Sequence, residues 1–229
     1  MGSKSVNSKK SILCYGDSNT WGFIPTADYA AVRARFPREV RWPGCLQALL
    51  GESYYVIEEG LNGRTTNLNH ITPPDRNGKT YLPSCLYSHA PLDLVILLLG
   101  GNDLKAYFNR TPHQICEGMR ELIDIIQTSL YGQDMQSAPR ILLLSQPIPL
   151  PISETFLDEQ NQIMFPNAVE KSIQLNGLYQ QLAQEKQVYF LDIAESIQSS
   201  EIDGGHLDAE NHMLLARLVA NAIESILAT

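Results

Sequence analysis

No CxxC pair occurs among the four cysteines, Cys14, Cys45, Cys85 and Cys116. That spacing argues against a zinc knuckle or a thioredoxin-type redox motif. A chain of 229 residues needs no disulfide framework to hold its core, so four reduced, mostly buried thiols are expected. Long apolar runs are missing too: none approaches 18 residues, and no membrane span is expected. Basic charge is scarce, with 17 Lys and Arg against 25 Asp and Glu, a net charge of −8. Phosphate backbones and anionic membranes both call for a basic face, so neither nucleic acid nor a membrane surface is an expected partner. The first ten residues are polar and carry no apolar stretch of the kind a secretory leader needs. The cytoplasm is the compartment this leaves.

What is present describes a globular chain, 44% hydrophobic and 18% charged. Short apolar runs at Ile12–Tyr15, Tyr54–Ile57, Leu92–Leu99, Arg140–Ser145 and Val188–Leu191 read as strands. The third, LDLVILLL, is apolar almost throughout, as a parallel strand covered on both faces should be. Between them, Ile115, Met119, Leu122, Ile126 and Leu130 repeat at helical spacing behind the start signal Thr111-Pro112. Leu215, Leu218, Val219, Ala222 and Ile226 do the same near the end, and further helices are expected over 44–50 and 168–186. Alternating strands and helices specify a three-layer α/β/α sandwich on a five-stranded parallel sheet. No repeat, low-complexity segment or linker divides the chain. Residues 1–11 are expected as a flexible tail and 12–229 as a single domain.

In such sheets ligands bind beyond the carboxyl ends of the strands. After the first strand comes Gly16-Asp17-Ser18-Asn19-Thr20-Trp21-Gly22. Ser18 at this strand-to-helix turn could be a nucleophile, or the loop could be an ordinary turn or a phosphate cradle. The second loop, Glu59-Gly60-Leu61-Asn62-Gly63-Arg64, is an ordinary Gly-containing connection or a source of an N–H from Gly63 to an oxyanion. Gly100-Gly101-Asn102-Asp103 follows the third strand, and Asn102 is either a cap or a side-chain amide donor to developing negative charge. Near the end, Asp203-Gly204-Gly205-His206-Leu207-Asp208 puts a histidine in a polar loop, three positions after an acid that can hold its Nδ1. Asp208 reads as the cap of the last helix. Each piece alone is weak. Together they supply a nucleophile, a base, an orienting acid and oxyanion donors on one rim of the sheet.

These blocks resemble the SGNH, or GDSL, hydrolases. The segments 56–67 (VIEEGLNGRTTN), 81–86 (YLPSCL), 91–96 (PLDLVI) and 103–112 (DLKAYFNRTP) are similar to its arylesterase/acyltransferase branch, from about residue 11 to the C-terminus. The resemblance implies a flavodoxin-like SGNH hydrolase fold and a serine esterase. It makes Ser18 the nucleophile, His206 the base and Asp203 its orienting acid. The Ser18 and Gly63 N–H groups and the Asn102 side chain would form the oxyanion hole. Trp21, Met164 and Phe165 would line the acyl cleft. The expected partners are a small ester with an aryl or short-chain alkyl group, and water or an alcohol as acceptor. No metal and no cofactor are implied, and a homo-oligomer is. Three positions depart from the family pattern. Asn19 stands where Leu is usual, Gly205 where a β-branched residue is common, and Leu207 where an aromatic is. The 147–168 stretch fits the branch least well. Two other classes remain open to the residues themselves: a metal-dependent phosphoesterase, and a flavodoxin-like binding module with the Gly16–Gly22 loop around a phosphate.

Overall fold

The computed structural model describes residues 9–28, 34–70 and 74–228. Five parallel strands form one sheet in the order β2-β1-β3-β4-β5. They are β1 (Lys10–Gly16), β2 (Tyr54–Gly60), β3 (Leu94–Leu98), β4 (Arg140–Leu144) and β5 (Tyr189–Leu191). All five expected strands are present, with ends moved by a few residues. Residues 1–8 of the expected tail lie outside the described residues. Its last two, Lys10 and Ser11, are corrected to strand. The Ser11 N–H donates to Asp93 at 2.7 Å and Lys10 Nζ to the Leu227 carbonyl at 2.7 Å, which hold this end of β1.

Strand geometry sends alternate side chains to opposite faces, and β1 shows the consequence. Ile12 and Cys14 pack with Trp42, Leu46, Leu215, Val219 and Ile223. These belong to α2 (Trp42–Leu50) and α6 (Ala209–Leu227). Leu13 and Tyr15 face the other layer, with Leu82, Leu86, Ile115, Met119, Leu122 and Leu175. That layer is α3 (Gly78–His89), α4 (Pro112–Gln127) and α5 (Ala168–Lys186). Helix α4 starts at a complete capping box between Thr111 and Gln114, and it ends before Leu130, which is exposed. The four cysteines are buried and unpaired. Among the described residues, no helix is long and apolar enough to cross a membrane.

Helix α3 was not expected from the sequence. It has little amphipathic contrast, carries Pro83 inside, and buries only Gly78, Leu82, Cys85 and Leu86. Its start is set by Asn77, whose side chain accepts from the Thr80 N–H at 3.2 Å.

The strand order reverses at β1, since the chain goes first to β2 on one side and then to β3 on the other. The crevice of such a sheet therefore lies above the ends of β1 and β3. The loops carrying Ser18 and Asn102 leave the sheet there.

Candidate active site

Ser18 opens a four-residue helix, α1 (Ser18–Trp21), directly after β1. Asp17 caps it, accepting from the Asn19 N–H at 3.0 Å, and Gly22 closes it in the left-handed conformation. Two glycines make room for so tight a turn. A Cβ on Gly16 would lie 2.0 Å from Thr20 Oγ1, and one on Gly60 would lie 2.1 Å from the Trp21 nitrogen. The small residues in these loops thus let α1 sit close on the strand ends.

The loop before α6 brings in the histidine. Asp203 is fully buried and accepts four hydrogen bonds. Its Oδ1 takes the Gly205 and His206 N–H groups at 3.1 and 3.0 Å. Its Oδ2 faces His206 Nδ1 at 2.8 Å and takes the Thr26 N–H at 3.2 Å. Burial works to raise the Asp203 pKa, but the hydrogen bonds and attraction of His206 outweigh it and leave the carboxyl below its ordinary value. With Nδ1 donating to Asp203, Nε2 is left as an acceptor, and it lies 2.9 Å from Ser18 Oγ. Phe23 stacks on the imidazole, ring centroids 4.4 Å apart. Asp208 caps α6.

A cavity of about 90 Å³ opens beside Ser18. Asn102, Leu104, Gln146, Pro147, Pro149, Phe165 and His206 are among its walls. The structure thus brings together Ser18, Asn102, Asp203, His206 and Phe165. Gly63, Trp21 and Met164 are not among the cavity walls. Gly63 lies one residue from Arg64, whose carbonyl accepts from Asn102 Nδ2 at 3.3 Å. Trp21 instead carries the Arg35 guanidinium over its ring at 4.8 Å. Met164 joins the 147–168 segment to the third loop through its main chain, accepting from the Ala106 N–H at 2.8 Å.

Several residues around the site had no sequence signal. Arg64 is buried, donates to the Gly16 carbonyl at 2.9 Å and lies 4.2 Å from the Tyr15 ring centroid. It joins the second loop to the end of β1. Asp103 joins the third loop to the second through Thr66. A glycine-rich loop and an isolated Arg look alike in sequence whether the Arg is solvated or buried.

The geometry also bears on the other two classes. Asp17 is buried at the start of α1, and burial pushes its pKa up to about 6. A carboxylate that is charged above that pH occupies the position a phosphate would take. His206 is the single histidine lining the cavity, and its two nitrogens face Asp203 and Ser18. Among the described residues, one group with metal-ligand chemistry, Glu59, Cys85 and His89, comes within 4.8 Å. None of the three lines the cavity.

Comparison with known proteins gives the family and the fold. The model of the GDSL-like lipase/acylhydrolase family matches residues 14–214, and the chain belongs to that family. Two similar solved structures are a carbohydrate acetylesterase from Sinorhizobium meliloti and the native aryl esterase of M. smegmatis. Each is 41% identical at a TM-score of 0.87, covering 95% of this chain and 100% of its own. A member of the lipolytic G-D-S-L family from Veillonella parvula shares the fold at 14% identity and a TM-score of 0.64, covering 93% of this chain and 97% of its own. No curated protein sequence matches the chain significantly. The protein is a carboxylic ester hydrolase of the SGNH type.

Proposed function

We propose that the enzyme cleaves small esters, acetyl-type above all, through an acyl-enzyme on Ser18. The observation that carries this is the chain Ser18 Oγ, His206 Nε2, His206 Nδ1, Asp203, with contacts of 2.9 and 2.8 Å. Ser18 attacks the ester carbonyl as His206 takes its proton through Nε2. Asp203 holds the tautomer that makes this possible and stabilises the imidazolium. The oxyanion is held by the Ser18 and Gly63 N–H groups and the Asn102 amide, of which one typically contributes about 100- to 1,000-fold in kcat. His206 then protonates the leaving alcohol, and water attacks the acyl-enzyme by the reverse route. An alcohol taking the place of water gives acyl transfer.

The small cavity beside Ser18 favours a short acyl group. Gln146 Nε2 and Ser153 Oγ, both in its wall, are buried without a hydrogen-bond partner. Such groups favour an ester whose alcohol carries further oxygens. The names of the two similar enzymes, one acting on carbohydrate acetyl groups and one on aryl esters, support the same range.

Ser18→Ala tests the assignment. Turnover of p-nitrophenyl acetate should vanish while the fold survives, and an organophosphonate should label Ser18 in the parent enzyme. Unchanged turnover in the variant would sink it. Across p-nitrophenyl esters, rates should fall sharply beyond short acyl chains, and a preference for long chains would contradict the acetyl-type range.

A further inference from the structure

The three positions that depart from the family pattern meet at one contact. The Asn19 side chain donates from Nδ2 to the Gly205 carbonyl at 3.3 Å and accepts through Oδ1 from the Leu207 N–H at 3.0 Å. These two backbone groups flank His206, 186 and 188 residues away in sequence. Partner chemistry fixes the amide's orientation, because flipping it would set oxygen against oxygen and N–H against N–H. A leucine, usual at this position in the family, can form neither bond. A Cβ at Gly205 would meet nothing within 4 Å, so the contact uses only the main-chain carbonyl there. Leu207 is fully buried in the layer under α6, so its N–H is a fixed point.

We propose that Asn19 is a positioning residue, tying the loop that carries the base to the turn that carries the nucleophile. It rests on the reading of Ser18 and His206 as nucleophile and base. Asn19 follows Ser18 directly, and its own N–H is held by Asp17. Within its own loop the His206 main chain is held by Asp203 at its N–H and by the Ser200 N–H at its carbonyl. Asp203 and Ser200 shape the loop; Thr26 and Phe23 also meet it, and Asn19 is the link that starts from the residue next to Ser18. Misplacing reacting groups by about 1 Å costs on the order of 100-fold.

Asn19→Leu and Asn19→Ala test this. In both, kcat on p-nitrophenyl acetate should fall about 10- to 100-fold, with KM and the pH of half-maximal activity unchanged. The rate of Ser18 phosphonylation should fall by the same factor, and amide exchange at Leu207 should quicken. An unchanged kcat in both folded variants overturns the proposal. A change confined to KM, which would make Asn19 a substrate contact, also overturns it. So does loss of fold in both, which would make the contact a stability element. Failure of Ser18→Ala to abolish turnover would instead remove the underlying nucleophile assignment, so the two failures are distinguishable.

Discussion

The Asp103 carboxylate, fully buried, lies 2.8 Å from Arg110 Nη1. It also accepts from the Thr66 N–H at 2.9 Å and from Thr66 Oγ1 at 2.6 Å. Burial pushes the Asp103 pKa up, and the bonds from Thr66 and the attraction of Arg110 pull it back without cancelling that rise. The pair thus holds the loops after β2 and β3 together beside Asn102.

Arg110→Met should therefore leave a buried charge without its partner. A loss of about 3–5 kcal/mol is expected at neutral pH. The loss should shrink as pH falls, since Asp103 with a raised pKa takes up a proton more readily folded than unfolded, and the uncompensated charge then disappears. Urea denaturation of parent and variant at pH 7 and pH 5 checks this. A deficit of equal size at both pH values would contradict it.

Asp17 carries the same logic into the active site. Its pKa of about 6 in the fold, against 3.8 ordinarily, means that the folded state binds its proton more tightly than the unfolded chain does. The charged carboxylate therefore costs nothing below about pH 4, and the full cost is present above the folded pKa. Asp17→Asn keeps an acceptor for the Asn19 N–H and removes the charge. A gain of about 3 kcal/mol or less is expected above pH 7, fading to none by about pH 4. Thermal unfolding across that pH range is the measurement, and a pH-independent gain would count against the assignment.

Two glycines should behave in opposite ways. Gly60→Ala drives a Cβ into the α1 backbone at the Trp21 nitrogen, so α1 and Ser18 must move. A loss of about 1–3 kcal/mol and a fall in kcat on the order of 100-fold are expected. Gly177 lies on the exposed face of α5 with nothing within 4 Å of its would-be Cβ. Gly177→Ala should raise stability by about 0.5–1 kcal/mol with activity unchanged. Unfolding curves and p-nitrophenyl acetate kinetics on both variants decide the pair.

The strands and most helices were legible because their signals are local. Leu94–Leu98 is apolar at every position, and α5 begins and ends where its pattern does. Helix α3 was missed because its few buried residues are spread among polar ones and Pro83. At the site, Ser18, Asn102, Asp203 and His206 stood out by residue type beside glycines. Phe23 did not, because nothing in its neighbours tells that its ring will meet His206. Trp21, chosen from the same segment, faces Arg35 instead, since the helical turn of α1 and the left-handed Gly22 decide which aromatic points inward.

By itself the sequence determined the layered parallel fold, the positions of the polar loops at the strand ends, and the family. The fold and the loop positions depend on composition, periodicity and turn residues, which act over a few positions, and the family rests on the resemblance of the loop motifs. Only the tertiary structure decided which side chains cross between loops. Asn19 reaching Gly205 and Leu207, Arg64 reaching Gly16, and Asp103 joining Thr66 and Arg110 are all such contacts. They depend on strand order and register, which set the distance between loops, and no short stretch of sequence carries that distance.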